Sequence, residues 1–386
     1  MVDDEYTRSK VLLLSAGHLI TDIYPGFLAP IVPLLMAKLD FSISEAATLM
    51  STLIIATSLF QPIFGYLSDI IKRIVFIVIG PIIAAFFMSS INLPNSYHLL
   101  LLFVFLSGLG VASFHPQAAA LSNLKSGTRK GSGMSIFVFG GSIGIGIGSL
   151  LISAIVSIGG LGAVHYAIIP GFVISAFLYK SFYKERVVKI PEKNNNYSIR
   201  TASLILIVLF LLVVIRAIII LGLSAFIPIY LAQRGEAFVY GGITLFLMHS
   251  FGAIGGLVGG HLSEKIGEKM IIILSFIVPL PVFSLYLMSS GLISFILVSL
   301  GGFFLYSSIP VVIFLGQSTF PNKISTISSM IMGLGWGIAG LTIIGFGATA
   351  EIIGVRDTLF YLVYISVLGF LLTLFLLKFK LNSRYS

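Results

Sequence analysis

Twelve apolar runs, each near the ~20 residues an α-helix needs to cross the hydrocarbon of a bilayer, fill almost the whole chain. They lie at 11–36, 43–67, 73–91, 97–122, 131–158, 164–183, 201–232, 239–262, 269–290, 292–317, 325–350 and 357–379. In hydrocarbon every backbone N–H and C=O must be satisfied within the structure, which leaves helix bundles and closed β-barrels. Barrel strands would show short alternating segments. These runs are long and uniformly apolar, with Gly and Pro inside them as bundled membrane helices allow. The expectation is an all-α integral membrane protein. Composition agrees, since 10% of the 386 residues are charged against about 25% in a soluble domain.

No cysteine is present, which excludes disulfides, thiolate metal sites and cysteine nucleophiles. The first apolar run lacks a small-residue cleavage site and reads as a retained helix. "GGSIGIGIG" (140–148) lies inside a span, without the preceding strand and following Lys-Ser/Thr of a nucleotide loop. With no ATP motif, metal cluster or Ser/His/Asp set at plausible depth, neither an enzyme nor a cofactor is expected.

The net charge of +9 could suit nucleic acid, but its placement says otherwise. With the N-terminus inside, 19 of the 23 Lys and Arg fall on the cytoplasmic side, three (Lys38, Arg234, Arg356) fall opposite, and Arg216 lies within a span. The positive-inside rule then puts both termini in the cytoplasm of a cell-membrane protein. The longest polar stretch, "KERVVKIPEKNNNYSIR" (184–200), marks a linker between an N-terminal bundle at 1–183 and a C-terminal bundle at 201–386.

Two loops repeat. Gly65, Leu67, Ser68, Asp69 and Ile71 match Gly260, Leu262, Ser263, Glu264 and Ile266 at an offset of 195; Ser113 and Pro116 match Ser307 and Pro310 at 194. Half a chain length is the offset expected of duplicated halves. The loop Gly65-x-x-x-Asp69, followed by Lys72 and Arg73, resembles the signature loop of the major facilitator superfamily. That resemblance covers the whole chain. It implies two pseudo-symmetric six-helix bundles, transport by alternating access, and conformational gating by Gly65, Asp69, Arg73, Gly260 and Glu264. Within that superfamily "HLITDIYPGFLAPIVPLL" (18–35), "FHPQAA" (114–119) and "SGTRKG" (126–131) resemble the fosmidomycin-resistance-type efflux proteins. His18, Leu19, Asp22, Phe114, His115, Pro116 and Ala118 match the family pattern, while Gln117 stands where a glutamate is expected. The resemblance implies proton-coupled efflux of a small anionic or drug-like compound, such as a phosphonate antibiotic.

Asp22 sits eleven residues into the first run, about 16 Å at 1.5 Å per residue, near the middle of the hydrocarbon. A charge there costs about 2.5–3.5 kcal/mol or more, so it should face a partner or a wet cavity. His18 is one turn earlier on the same face. Pro25 frees the Thr21 carbonyl beside it. Asp22, His18 and His115 are the candidate proton-coupling groups; Arg216, able to hold a phosphonate or carboxylate with two parallel bonds, is the candidate substrate ligand. Tyr24, Gln117 and Gln317 are secondary polar candidates for the substrate, with neutral packing an equal reading of each. Plainer readings compete: an Asp22–Arg216 structural ion pair, His115 bonded only to a freed carbonyl, and His249 as an interhelical partner. Pairing Pro30 with Pro228, at offset 198, would set Arg216 opposite His18 in the repeat. The stripes Gly140/Gly144/Gly148 and Gly252/Gly256/Gly260 should let helices touch. The expected partners are a small molecule, protons and the lipid bilayer, with the chain acting as a monomer. Uptake of an organic anion and a non-transporting membrane sensor are the rival functions.

Overall fold

The computed structural model describes residues 7–71, 73–127, 130–185, 199–319, 327 and 330–378, with backbone alone at 69, 130–132 and 199–201. Lys72, Arg129 and most of the linker expected at 184–200 lie outside the described residues. The described chain is helical, and eleven of its helices are long and apolar enough to cross a membrane. They are α1 (Arg8–Leu39), α2 (Ile43–Ser68), α4 (Tyr97–Lys125), α5 (Gly133–Gly159), α6 (Leu161–Phe182), α7 (Ala202–Gln233), α8 (Val239–Ile266), α9 (Glu268–Met288), α10 (Gly291–Thr319), α11 (Met330–Ile353) and α12 (Val355–Leu376). A shorter apolar helix, α3 (Val75–Ser89), completes the twelve. Each falls on one of the apolar runs. Large apolar side chains such as Ile158, Leu292 and Ile352 are exposed, which suits lipid contact and would be a liability in water.

Local chemistry sets the ends. Ser42 and Glu45 form a reciprocal capping box that starts α2, satisfying two first-turn donors. Gly267 and Gly354, at φ of 88° and 89°, turn the chain between α8 and α9 and between α11 and α12, in a region where a Cβ would be strained.

By contact density the chain divides into two units. The first holds 1–189 and 228–246, the second 190–227 and 247–386. Within the first, α1 lies against α5 along the glycine stripe. A methyl group added at Gly140, Gly144 or Gly148 would run into the backbone carbonyl of Ser15, Leu19 or Ile23, and one at Gly26 into that of Ile145. With lipid as apolar as the side chains, such backbone approach is what holds membrane helices together. Gly144→Val is expected to cost about 1–3 kcal/mol, read as a lowered thermal midpoint. Gly162→Val, where a Cβ meets nothing within 4 Å, is the matched control.

In the second unit the tight stripe on α8 differs from the expected one. Gly255 and Gly259 meet the carbonyls of Phe303 and Ser307 on α10, and Gly302 returns the contact at Met248. Of the expected stripe Gly252 is tight, 2.8 Å from the Tyr306 ring, while Gly256 and Gly260 are looser, at 3.7 Å from the Tyr306 carbonyl and 3.6 Å from Pro310. The helices close on the edge where glycines on both sides face each other.

The duplication is visible as packing. A Cβ at Gly65 would sit 3.6 Å from Pro116, and one at Gly260 would sit 3.6 Å from Pro310. Ser113 and Ser307 each donate to the carbonyl three residues earlier, Gly110 and Phe304, at 2.8 and 2.7 Å.

Lys10 at the start of α1 and Lys125 at the end of α4 both bind Glu185 Oε1, at 2.5 and 2.9 Å, just past α6. Burial opposes ionisation of Glu185, but the bonds and charges of the two lysines outweigh it and hold its carboxyl below the ordinary range. A lowered folded-state pKa contributes stability above the unfolded value that is lost as pH falls through the folded one. Glu185→Gln should therefore lower the thermal midpoint at neutral pH and lose that deficit under acid conditions.

Candidate functional site

α1 passes His18 and Asp22 to one point because residues four apart share a helix face. His18 Nε2 lies 3.2 Å from Asp22 Oδ2. From α4, His115 Nε2 reaches Asp22 Oδ1 at 2.9 Å. Asp22 is only 6% exposed. The His18 ring stacks on Phe137 of α5 at 4.2 Å and 26°, and stands edge-on to His115 at 4.8 Å. A Cβ at Gly141 would collide with the His18 imidazole, so the glycine-rich face of α5 makes room for this ring as well as for the α1 backbone.

The second ring nitrogens decide where the protons are. His18 Nδ1 lies 2.8 Å from the Phe137 carbonyl oxygen, an acceptor only, so Nδ1 carries a hydrogen. Gln61 on α2 donates from Nε2 to the Thr57 carbonyl at 2.8 Å and to His115 Nδ1 at 3.3 Å. His115 Nδ1 is thereby an acceptor, and its hydrogen sits on Nε2, facing Asp22. The remaining contact, His18 Nε2 to Asp22 Oδ2, closes as a hydrogen bond only if one further proton lies between the two atoms. The cluster is thus neutral with that proton and carries one negative charge without it. The three side chains' donor atoms fall within 4.8 Å of one another, a set that can hold a metal ion, but their hydrogen bonds close with a proton and require no metal.

Arg216 is the buried charge of α7. It is 2% exposed and, among the described residues, its ion-pair partner set contains no carboxylate. Nη2 donates to Ser275 Oγ of α9 at 3.2 Å and to Ser308 Oγ of α10. The guanidinium carbon lies 4.9 Å over the Phe276 ring, and Nε is buried without a hydrogen-bond partner among the described residues. Ser308 falls where α10 turns between Gly291–Tyr306 and Ile309–Thr319.

His249 is an interhelical bridge. Its Nδ1 meets Tyr306 Oη at 2.7 Å and its Nε2 meets Ser224 Oγ at 3.3 Å. Ser224 already donates to the Ile220 carbonyl at 2.7 Å, so His249 Nε2 is the donor and the Tyr306 hydroxyl donates to Nδ1.

The other expected residues are placed as follows. The Tyr24 hydroxyl donates to the Ala167 carbonyl at 3.1 Å and accepts from Gly171 N–H at 2.8 Å, bracing α1 against α6. Gln117 is fully buried and bonded to Ser68, Arg73 and Ile77. With both side chains' hydrogen bonds closed inside the unit, neither presents a free group to a ligand. Gln317 is half-buried on α10. Arg73 and Glu264 are exposed; the Asp69 side chain lies outside the described residues. Four contributors were not anticipated from sequence: Gln61, the Phe137 carbonyl, Ser275 and Ser308.

The twelve apolar helices among the described residues suit a membrane carrier, and the model of the Major Facilitator Superfamily matches residues 14–344. The chain belongs to that superfamily. It is therefore a multi-pass membrane transporter and not an enzyme. The chain is 24% identical over 397 residues to YfnC, an MFS-type transporter of Bacillus subtilis (strain 168), covering 97% of this chain and 95% of that one. It is 26% identical over 381 residues to the fosmidomycin resistance protein of Escherichia coli (strain K12), covering 94% and 91%. Among solved structures, a bacterial homologue of the human lysosomal transporter Spinster superposes with a TM-score of 0.79 at 15% identity, covering 99% of both chains. The nucleoside transporter NupG gives 0.70 at 11%, covering 97% and 100%. At these identities the structures speak for the fold.

Proposed function

We propose that this superfamily member is a proton-coupled antiporter that exports a small anionic or amphiphilic compound, of which a phosphonate antibiotic is the type, by alternating access. The observation that carries the coupling is the His18–Asp22–His115 cluster, buried at membrane depth and balanced around one transferable proton. His18 Nε2 and Asp22 Oδ2 hold that proton; His115, oriented by Gln61, keeps Asp22 in place whether or not the proton is there. Arg216, a cation without a carboxylate among the described residues, is the group for an anionic substrate. The 26% identical fosmidomycin resistance protein supports the substrate class and the outward direction. Both termini are placed in the cytoplasm by the basic-residue asymmetry. The loops holding Gly65, Asp69 and Arg73, and Gly260 and Glu264, are assigned to gating as the halves rock.

The test is flux of fosmidomycin in proteoliposomes carrying an imposed pH gradient, with a pH-sensitive dye in the lumen. Antiport moves drug and proton in opposite directions, so drug uptake into acid-loaded vesicles should raise the lumenal pH beyond the leak. Movement of both in one direction would make the protein an importer. Specific binding without flux under any gradient would make it a sensor.

A further inference from the structure

Gln117 lies two residues beyond His115 on α4 and takes no part in the proton cluster. Its amide is fully engaged. Oε1 accepts the Ile77 N–H at 2.9 Å, and Nε2 donates to Ser68 Oγ at 2.9 Å and to the Arg73 carbonyl at 2.8 Å. These partners belong to the end of α2, the connection after it and the first turn of α3. Ile77 is in that first turn, where an N–H has no acceptor inside its own helix, and Ile74 provides no side-chain cap. Gln117 thus caps α3 from a different helix while pinning the loop at two other points. The arrangement demands an amide, which offers two donors and one acceptor in one plane. An ionised carboxylate offers acceptors only and would face the Arg73 carbonyl oxygen lone pair to lone pair. Only the protonated acid could replace it.

We infer that Gln117 is the positioning residue of the junction between α2 and α3, fastening Ser68, Arg73 and Ile77 to α4 through a group that cannot ionise, so that the junction stays attached at any physiological pH. For transport, resting on the antiport reading above, this makes the attachment to α4 itself independent of protonation and leaves the coupling proton to His18, Asp22 and His115. The elements packed about α4 carry Arg8, Lys10, His18, Asp22, Tyr24 and Lys38 (α1), Glu45 and Tyr66 (α2), Asp69 (following it) and the exposed Arg73; α3 and α5 carry no ionisable side chain, nor does α4 between His115 and Lys125. The groups bonded to the Gln117 amide, a hydroxyl, a carbonyl and an N–H, do not titrate.

The experiment is Gln117→Glu in lipid nanodiscs, read by hydrogen–deuterium exchange of residues 68–77 near pH 4 and near pH 8, each against wild type at the same pH. Docking needs the protonated acid, so attachment is complete where a free glutamate is already protonated, below about 4.3, and lost as pH rises and the acid ionises. The variant should match wild type at the lower pH and exchange about tenfold faster at the higher, the effect of a lost buried hydrogen bond. Gln117→Leu, lacking all three bonds, should be faster at both. Wild-type exchange in Gln117→Glu at both pH values, equal acceleration at both, or wild-type protection in Gln117→Leu would each overturn the assignment. If Gln117→Glu is too unstable for exchange, its thermal midpoint relative to wild type should recover on acidification, and no recovery would count against it. None of these readouts needs substrate or flux, so they stand apart from the antiport test.

Discussion

Asp22→Asn should abolish fosmidomycin movement driven by a pH gradient, to the level of empty vesicles, while the purified variant keeps the wild-type thermal midpoint. The substitution is close to isosteric, and the hydrogen-bond directions explain why folding should survive. Asn Oδ1 still accepts from His115 Nε2–H, whose tautomer is set by Gln61. Asn Nδ2–H can donate to His18 Nε2, which is left unprotonated because His18 keeps its hydrogen on Nδ1 toward the Phe137 carbonyl. Every bond in the cluster is therefore made with no transferable proton. The variant mimics the proton-loaded state permanently. Substrate exchange across vesicles at equal pH needs no proton release and should stay within about threefold of wild type, a change worth under 1 kcal/mol. The pH dependence of that exchange should flatten in the variant. If gradient-driven flux persists in Asp22→Asn, the proton is carried elsewhere. If the protein unfolds instead, the carboxylate is structural.

Much of this arrangement could be read from sequence, for physical reasons that also mark where reading stops. Hydrocarbon thickness fixes the length of a span, so twelve apolar runs became twelve helices, including α3, whose 15 residues make it short for a crossing. The His18–Asp22 pair follows from helix period alone. That His115 arrives from α4 is a tertiary fact, hinted at only by its depth. Gln61 and Phe137 were invisible because one acts through an amide and the other through its main chain, which any residue could supply. Serines occur in most spans, so nothing in the type or spacing of Ser275 and Ser308 points to Arg216. Gln117 reads from sequence as a secondary polar candidate for substrate; its neighbours are the ends of two other helices, and no local pattern reports where those ends meet. The repeat was legible where its two copies keep the same chemistry, as at Gly65–Pro116 and Gly260–Pro310, and obscure where they diverged. Asp22 and Arg216 are separated by 194 residues, and their α4 and α10 partners His115 and Ser308 by 193, close to the offsets of the conserved loops. Each half thus carries a buried charge held by the residue preceding, or nearly preceding, the α4 or α10 proline. The chemistry is inverted between them, acid and imidazole in one, guanidinium and hydroxyl in the other. The sequence alignment through Pro30 and Pro228 had set Arg216 opposite His18 instead.

That inversion leads to the expectation for Arg216→Met. A guanidinium 2% exposed, with a buried Nε lacking any acceptor among the described residues and hydroxyls in place of a counter-ion, is poorly compensated at membrane depth. Its ring contact with Phe276 and its bonds to Ser275 and Ser308 return part of the lost hydration, but a cation–π contact and neutral hydrogen bonds amount to a few kcal/mol together. Methionine fills a similar volume beside Phe276 without a charge to desolvate. Replacing a buried charge by a fitting apolar side chain is often neutral or stabilising by about 1–4 kcal/mol, so the thermal midpoint of Arg216→Met should equal or exceed that of wild type. Binding of fosmidomycin should nevertheless be lost, because the anion no longer meets a cation. Arg216→Lys keeps the charge but not the two-pronged geometry or the flat stack on Phe276, and should bind about tenfold more weakly. Stability gained with binding lost means that the cation is retained for what it holds. Stability lost with binding intact would assign Arg216 to packing α7 against α9 and α10, and the anionic substrate class would have to be carried by another residue.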